Sequence, residues 1–164
     1  MTLKNFAYHA RLKLDRAGLS DHDIFLYPAF SPLGFFQPSG RAIAMSLPHV
    51  LIDSWGAVIK TFDHEIAHAR TADEKETHGE KWAHEARCNG AWERRDENTA
   101  ISDEFHECRA AYEADSGRYA IGEMVSKTIA VVMHEEGLQR SKEPRRPGRL
   151  RLDFIINRKG EINV

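Results

Sequence analysis

A chain of 164 residues, 41% hydrophobic and 29% charged, has the balance of a folded domain with a buried core, which excludes intrinsic disorder. The formal net charge of −2 is unevenly spread: fifteen acids face seven bases over 61–115, and ten bases face six acids over 116–164. Two cysteines, Cys88 and Cys108, with no CxxC pair, exclude a disulfide framework and a cysteine-built zinc ribbon, and no run approaches the roughly 18 apolar residues that span a bilayer.

Taken in chain order, Leu3, Phe6, Ala7, Ala10, Leu12 and Leu14 recur at mostly helical spacing until Gly18. Asp23 to Tyr27 is a short apolar run ending at Pro28 and is expected to be a strand. Leu33 to Gln37 and Arg41 to Met45, separated by Pro38-Ser39-Gly40, are expected to be a strand pair, closed by Pro48. Asp53 or Ser54 caps the next predicted helix, in which Trp55, Val58, Phe62 and Ile66 form one apolar stripe. Residues 71–77 are polar and read as a loop. Further helices are expected from about His78 to Cys88, over 103–115, and over 118–136 as far as Gly137.

The stretch 139–151 carries six bases against one acid and reads as a linker. Leu152 to Ile156, a turn at 157–160, and Ile162 to Val164 are expected to form a terminal hairpin. The expected organisation is a domain over 1–138 followed by this basic linker and hairpin over 139–164. With no apolar leader at the N-terminus and no membrane span, the expected location is cytoplasmic.

His64-Glu65-Ile66-Ala67-His68 falls in the helix marked by the Trp55, Val58, Phe62 and Ile66 stripe. Residues four apart share a helix face, so both imidazoles can reach one ion, while Glu65 projects beside it. A carboxylate there can take a proton from a water activated by zinc. Catalytic zinc needs three protein ligands and an open position. Position 71 is Thr71 and position 74 is Glu74, so the elongated HExxHxxGxxH pattern is excluded. The third ligand is then a glutamate of a later helix, Glu104 or Glu107, or, more simply, His78 at the start of the helix after the polar loop.

The run HEIAHA at 64–69, followed by His78-Gly79-Glu80-Lys81-Trp82, resembles the SprT-like (Spartan) metalloprotease family, which pairs HExxH with a downstream HGxx(W/F). Arg41 to Met45 with Ser46-Leu47-Pro48, and Cys88-Asn89-Gly90-Ala91, are similar to flanking stretches of that family. The resemblance covers about residues 3–91 and no cysteine ribbon follows it. It implies an α+β zincin-like core, a small mainly antiparallel sheet packed on the HExxH helix. It also implies one catalytic zinc held by His64, His68 and His78, with Glu65 as general base. Some relatives act on proteins attached to DNA. Arg140, Arg145, Arg146, Arg149 and Arg151 are therefore the candidates for weak, sequence-independent DNA contact.

The expected function is zinc-dependent hydrolysis of peptide bonds, with a substrate strand adding to the edge strand near 41–45. The competing readings are a non-catalytic zinc protein that binds a partner or nucleic acid, in which Glu65 is dispensable, and a metal hydrolase of a non-peptide amide. Asp63, Asp73 and Asp103 are candidates to orient the histidines, and Tyr112, Arg118 and Tyr119 to stabilise an oxyanion. Trp82 is expected to pack beside His78. His84 and His106 are expected to face solvent or lie behind the ligands, and His134 to sit at a helix C-terminus. Cys88 and Cys108 are expected to be buried thiols.

Overall fold

The structure, a computed structural model, describes residues 2–91, 100–114 and 154–163. The predicted helix 118–136, the linker 139–151 with its five arginines, and His134 lie outside the described residues. No helix among those described is long and apolar enough to cross a membrane.

The described chain is α+β. Helix α1 (Leu3–Arg16) is capped by Thr2, whose hydroxyl accepts from the Asn5 amide at 3.2 Å. It buries Leu3, Phe6, Ala7, Ala10 and Leu14, while Leu12 is only half-buried. Strand β1 (Asp23–Tyr27) alternates buried and half-buried positions, as a strand with one face on the core should. Strands β2 (Gly34–Gln37) and β3 (Ala42–Ser46) form the expected antiparallel pair around a 3-10 turn at Pro38–Gly40.

The sheet has five strands in the order β2-β3-β1-β4-β5, where β4 is Phe154–Ile156 and β5 is Ile162–Asn163. It is mixed: β1 runs parallel to β3, with Asp23 opposite Ala42 and Tyr27 opposite Ser46, and the other pairings are antiparallel. The terminal hairpin is part of this sheet, because β4 pairs with β1 through Ile24 and Ile156.

The parallel pairing corrects one expectation. The segment near 41–45 is an interior strand with neighbours on both sides, and every residue of β3 is buried. Its unbroken Ala-Ile-Ala-Met run fits burial on both faces. The outer edge beside the helix bearing HExxH is β2.

Pro48 also has a different role from the one expected. Instead of only closing the strand region, it sits at the start of helix α2 (Leu47–Ile52), capped by Ser46 accepting from the His49 amide at 3.2 Å. Helix α3 (Trp55–Arg70) follows, capped by Ser54. Val58, Phe62 and Ile66 of its stripe are buried, whereas Trp55 in the first turn is 40% exposed and stacks edge-on with His9. Helices α4 (Glu80–Cys88) and α5 (Asp103–Ala114) complete the described elements.

The main core lies between the sheet and α1, α2 and α3. Phe6 and Phe62 meet edge-to-face there, with centroids 5.8 Å apart. A smaller cluster of Ala67, Trp82 and Ala86 joins α3 to α4. Two further links hold these helices together: an Arg70–Glu85 ion pair at 3.1 Å and a 2.7 Å bond from Asn89 Nδ2 to the Asp63 carbonyl.

Candidate metal centre

His64 and His68 lie one turn apart on α3, and the 71–79 loop returns His78 to the same point. The ligating nitrogens of all three fall within 4.8 Å of one another. His64 Nε2 is 3.1 Å from His68 Nε2 and 3.3 Å from His78 Nε2. A ring nitrogen offers either one N–H or one lone pair, so a hydrogen bond from His64 could join one neighbour but not serve both. Ligands 2.0–2.1 Å from one tetrahedral zinc lie about 3.3 Å apart. The donor set fits a metal ion both in type and in spacing.

Electrostatics agree with that use. Burial, then the neighbouring His68 and His78, push the His64 pKa down to about 4. Burial and His78 likewise lower His68. Both rings are therefore neutral near pH 7, the state in which an imidazole can ligate.

The floor of the site is Trp82. Its indole lies 4.8, 5.5 and 4.4 Å, centroid to centroid, from the rings of His64, His68 and His78. Trp82 is 5% exposed, so the expected packing role holds and extends to all three histidines.

Glu65 packs against β2 and is not one of the group whose ligand atoms fall together. It is buried, and burial raises its pKa to about 7 against the opposing effect of a hydrogen bond from the Phe36 backbone. Gly34 makes this approach possible. A Cβ there would lie 3.1 Å from both Glu65 Cγ and Thr61 Cγ2, so glycine lets β2 run flush against α3 without pushing those side chains back by a few tenths of an ångström. The cleft between them has a volume of about 420 Å³ and is lined by β2, the three histidines, Glu65 and the 71–78 loop. Phe35, 42% exposed, stands at its edge.

Other candidates fall elsewhere. Asp63 receives Lys13 Nζ at 2.8 and 2.9 Å, and Asp73 receives Lys81 Nζ at 2.7 Å, so their carboxylates serve ion pairs with lysines. Asp103, Glu104 and Glu107 are exposed on α5, a helix that packs on α2, and do not belong to the histidine group. Arg118 and Tyr119 lie outside the described residues, as does the side chain of Tyr112. His84 and His106 are exposed. Cys88 is exposed too, contrary to expectation, because it falls on the opposite side of α4 from Trp82 and Ala86. Cys108 is half-buried.

Sequence reasoning also missed a buried network behind the site. His49 is fully buried on α2, its Nδ1 2.6 Å from Asp53 Oδ2 and its Nε2 3.0 Å from Thr61 Oγ1. Asp53 Oδ1 in turn accepts from the amide and hydroxyl of Ser102, each at 2.7 Å. Burial lowers the His49 pKa against the pull of Asp53; its Nδ1 faces the carboxylate, and its Nε2 faces the Thr61 hydroxyl, which itself donates to the Ala57 carbonyl at 3.2 Å. Thr61 lies one turn before Glu65, so the network braces the helix that carries the site. The only signal in the sequence was a His-x-x-x-Asp spacing over 49–53.

No known family model, curated protein or solved structure matches the chain.

Proposed function

We propose that the chain is a zinc-dependent metallopeptidase with a zincin-like, SprT-like core, in which His64, His68 and His78 hold the ion and Glu65 is the general base. One observation carries this reading: three imidazoles bring their nitrogens to one point, and a buried carboxylate on the helix that bears two of them lines the same open cleft.

Zinc bound by three histidines would act as a Lewis acid that lowers the pKa of water and polarises a carbonyl. The chain's own residues supply the rest. Glu65, with a pKa near 7, is matched to accepting and returning a proton at neutral pH. Burial strengthens its electrostatic effect by excluding water. The edge of β2, which has no further strand beside it among the described residues, would offer backbone groups to an extended peptide, and the alternate-residue register of a strand would bring one carbonyl of that peptide above the histidines. Phe35 at the rim is positioned to cover the peptide's apolar side chains.

Hydrolysis of an unfolded protein by zinc-loaded wild type, measured beside Glu65→Gln and a chelator-treated sample, tests the reading. Turnover should fall about 10²–10⁴-fold in Glu65→Gln. Equal biological activity in the two proteins would instead favour a non-catalytic zinc protein that binds a partner or nucleic acid.

A further inference from the structure

Of the three histidines, His78 is the exposed one and lies outside any helix, so something other than α3 must fix it. It immediately precedes Gly79, the N-cap of α4, which has no side chain to satisfy the first amides of that helix. Those amides are satisfied from the loop. Glu74 Oε1 accepts from the Lys81 amide at 3.0 Å, and Glu74 Oε2 accepts from the Trp82 amide at 2.9 Å. A carboxylate at this end of a helix also meets the favourable end of its dipole.

The base of the loop is fixed as well. Thr71 Oγ1 donates to the Ala67 carbonyl at 2.8 Å, and the Glu74 amide donates to the Thr71 carbonyl at 2.9 Å. One end of the loop is therefore tied to α3, and the Glu74 carboxylate ties its other end to α4.

Gly79 is what leaves room for this. A Cβ at position 79 would lie 2.3 Å from Glu74 Oε1 and 2.6 Å from Glu74 Cδ. The backbone of Gly79, at φ −74° and ψ −167°, is open to any residue, so the glycine is required by the carboxylate and not by the turn. Any side chain there would expel Glu74 from the cap.

We infer that Glu74 is the positioning residue for the third metal ligand: by capping α4 across the loop it holds His78 over Trp82 and against His64. The inference rests on the metal-site reading above. It gives the His78-Gly79 pair a physical reason, one residue ligating and the next leaving space for the carboxylate that places it.

The test is zinc titration of the metal-free full chain, in competition with a chromophoric chelator, with helix content followed by circular dichroism. Glu74→Ala should weaken zinc binding about 10–100-fold, the usual cost of losing a group that orients a ligand. Gly79→Ala should weaken it similarly. The double variant Glu74→Ala/Gly79→Ala should bind no worse than either single one, because both remove the same cap. Glu74→Gln, which keeps an acceptor oxygen, should fall between Glu74→Ala and wild type. Thr2→Ala, which uncaps the remote α1, should lower the thermal midpoint and leave zinc affinity unchanged. Wild-type affinity in Glu74→Ala, or losses that add in the double variant, would overturn the inference while leaving the metal site standing. A wild-type chain that takes up no zinc overturns both.

Discussion

His78 Nε2 lies 3.3 Å from His64 Nε2, although 14 residues of chain separate them. A helix explains why His64 and His68 meet, but only the returning loop explains His78. The contribution of this third ring is therefore separable from that of the helix.

His78→Ala should leave the main core intact, since the ring is exposed and, among the described residues, its ring contacts are with His64, His68 and Trp82. Its zinc affinity should fall by more than the about 10–100-fold typical of a lost orienting group. Chelator competition on wild type and variant, with thermal melts of the metal-free forms, measures both quantities. A large drop in the metal-free midpoint would mean that His78 has a structural role instead.

Glu65 should leave a pH signature in the metal-free protein. Its folded pKa, about 7, lies above the ordinary value of 4.5, so the folded state binds more protons between those limits. Stability from this group is full below about pH 4.5 and is lost as pH rises through 7. Glu65→Gln should therefore be more stable than wild type at pH 8, by up to about 3 kcal/mol, with the difference vanishing towards pH 4.5. Urea unfolding of both proteins at several pH values gives the comparison, and a constant difference across pH would contradict the burial account.

The His49 network predicts a structural cost with no direct chemistry. Asp53→Ala removes the acceptor of His49 Nδ1 and of two Ser102 donors, all in buried or half-buried surroundings. The loss should be at least about 2 kcal/mol, and Thr61→Val should cost about 1–2 kcal/mol by leaving His49 Nε2 unserved. Denaturant midpoints report both. Changes below a few tenths of a kcal/mol would show that water replaces these partners.

How much of this was legible from residues alone follows from distance along the chain. The α3 stripe and the His64–His68 pair were readable because a helix converts a spacing of four into contact. Strands 23–27, 34–37 and 42–46 were readable from apolar runs and turn residues. The place of β3 inside the sheet was not, because its parallel partner β1 arrives through no hairpin. Helix α2 was hidden by Pro48, which can begin a helix as readily as it ends a strand. Trp55 fits the apolar spacing but sits in the first turn, beyond the reach of the core. Glu74 caps amides seven and eight residues downstream, and no local pattern announces a bond formed by a loop folding back. His78 as third ligand was readable from the polar loop leading to the next helix and from the paired motifs, and its convergence with His64 and His68 depends on that same loop.

The most direct measurement is zinc content per chain, by elemental analysis after equilibrium dialysis, for wild type, Glu65→Gln and His68→Ala. The account predicts one zinc in wild type, one in Glu65→Gln because Glu65 stands outside the His64, His68 and His78 donor group, and none retained in His68→Ala. Zinc lost from Glu65→Gln, or held equally well by His68→Ala, would contradict it.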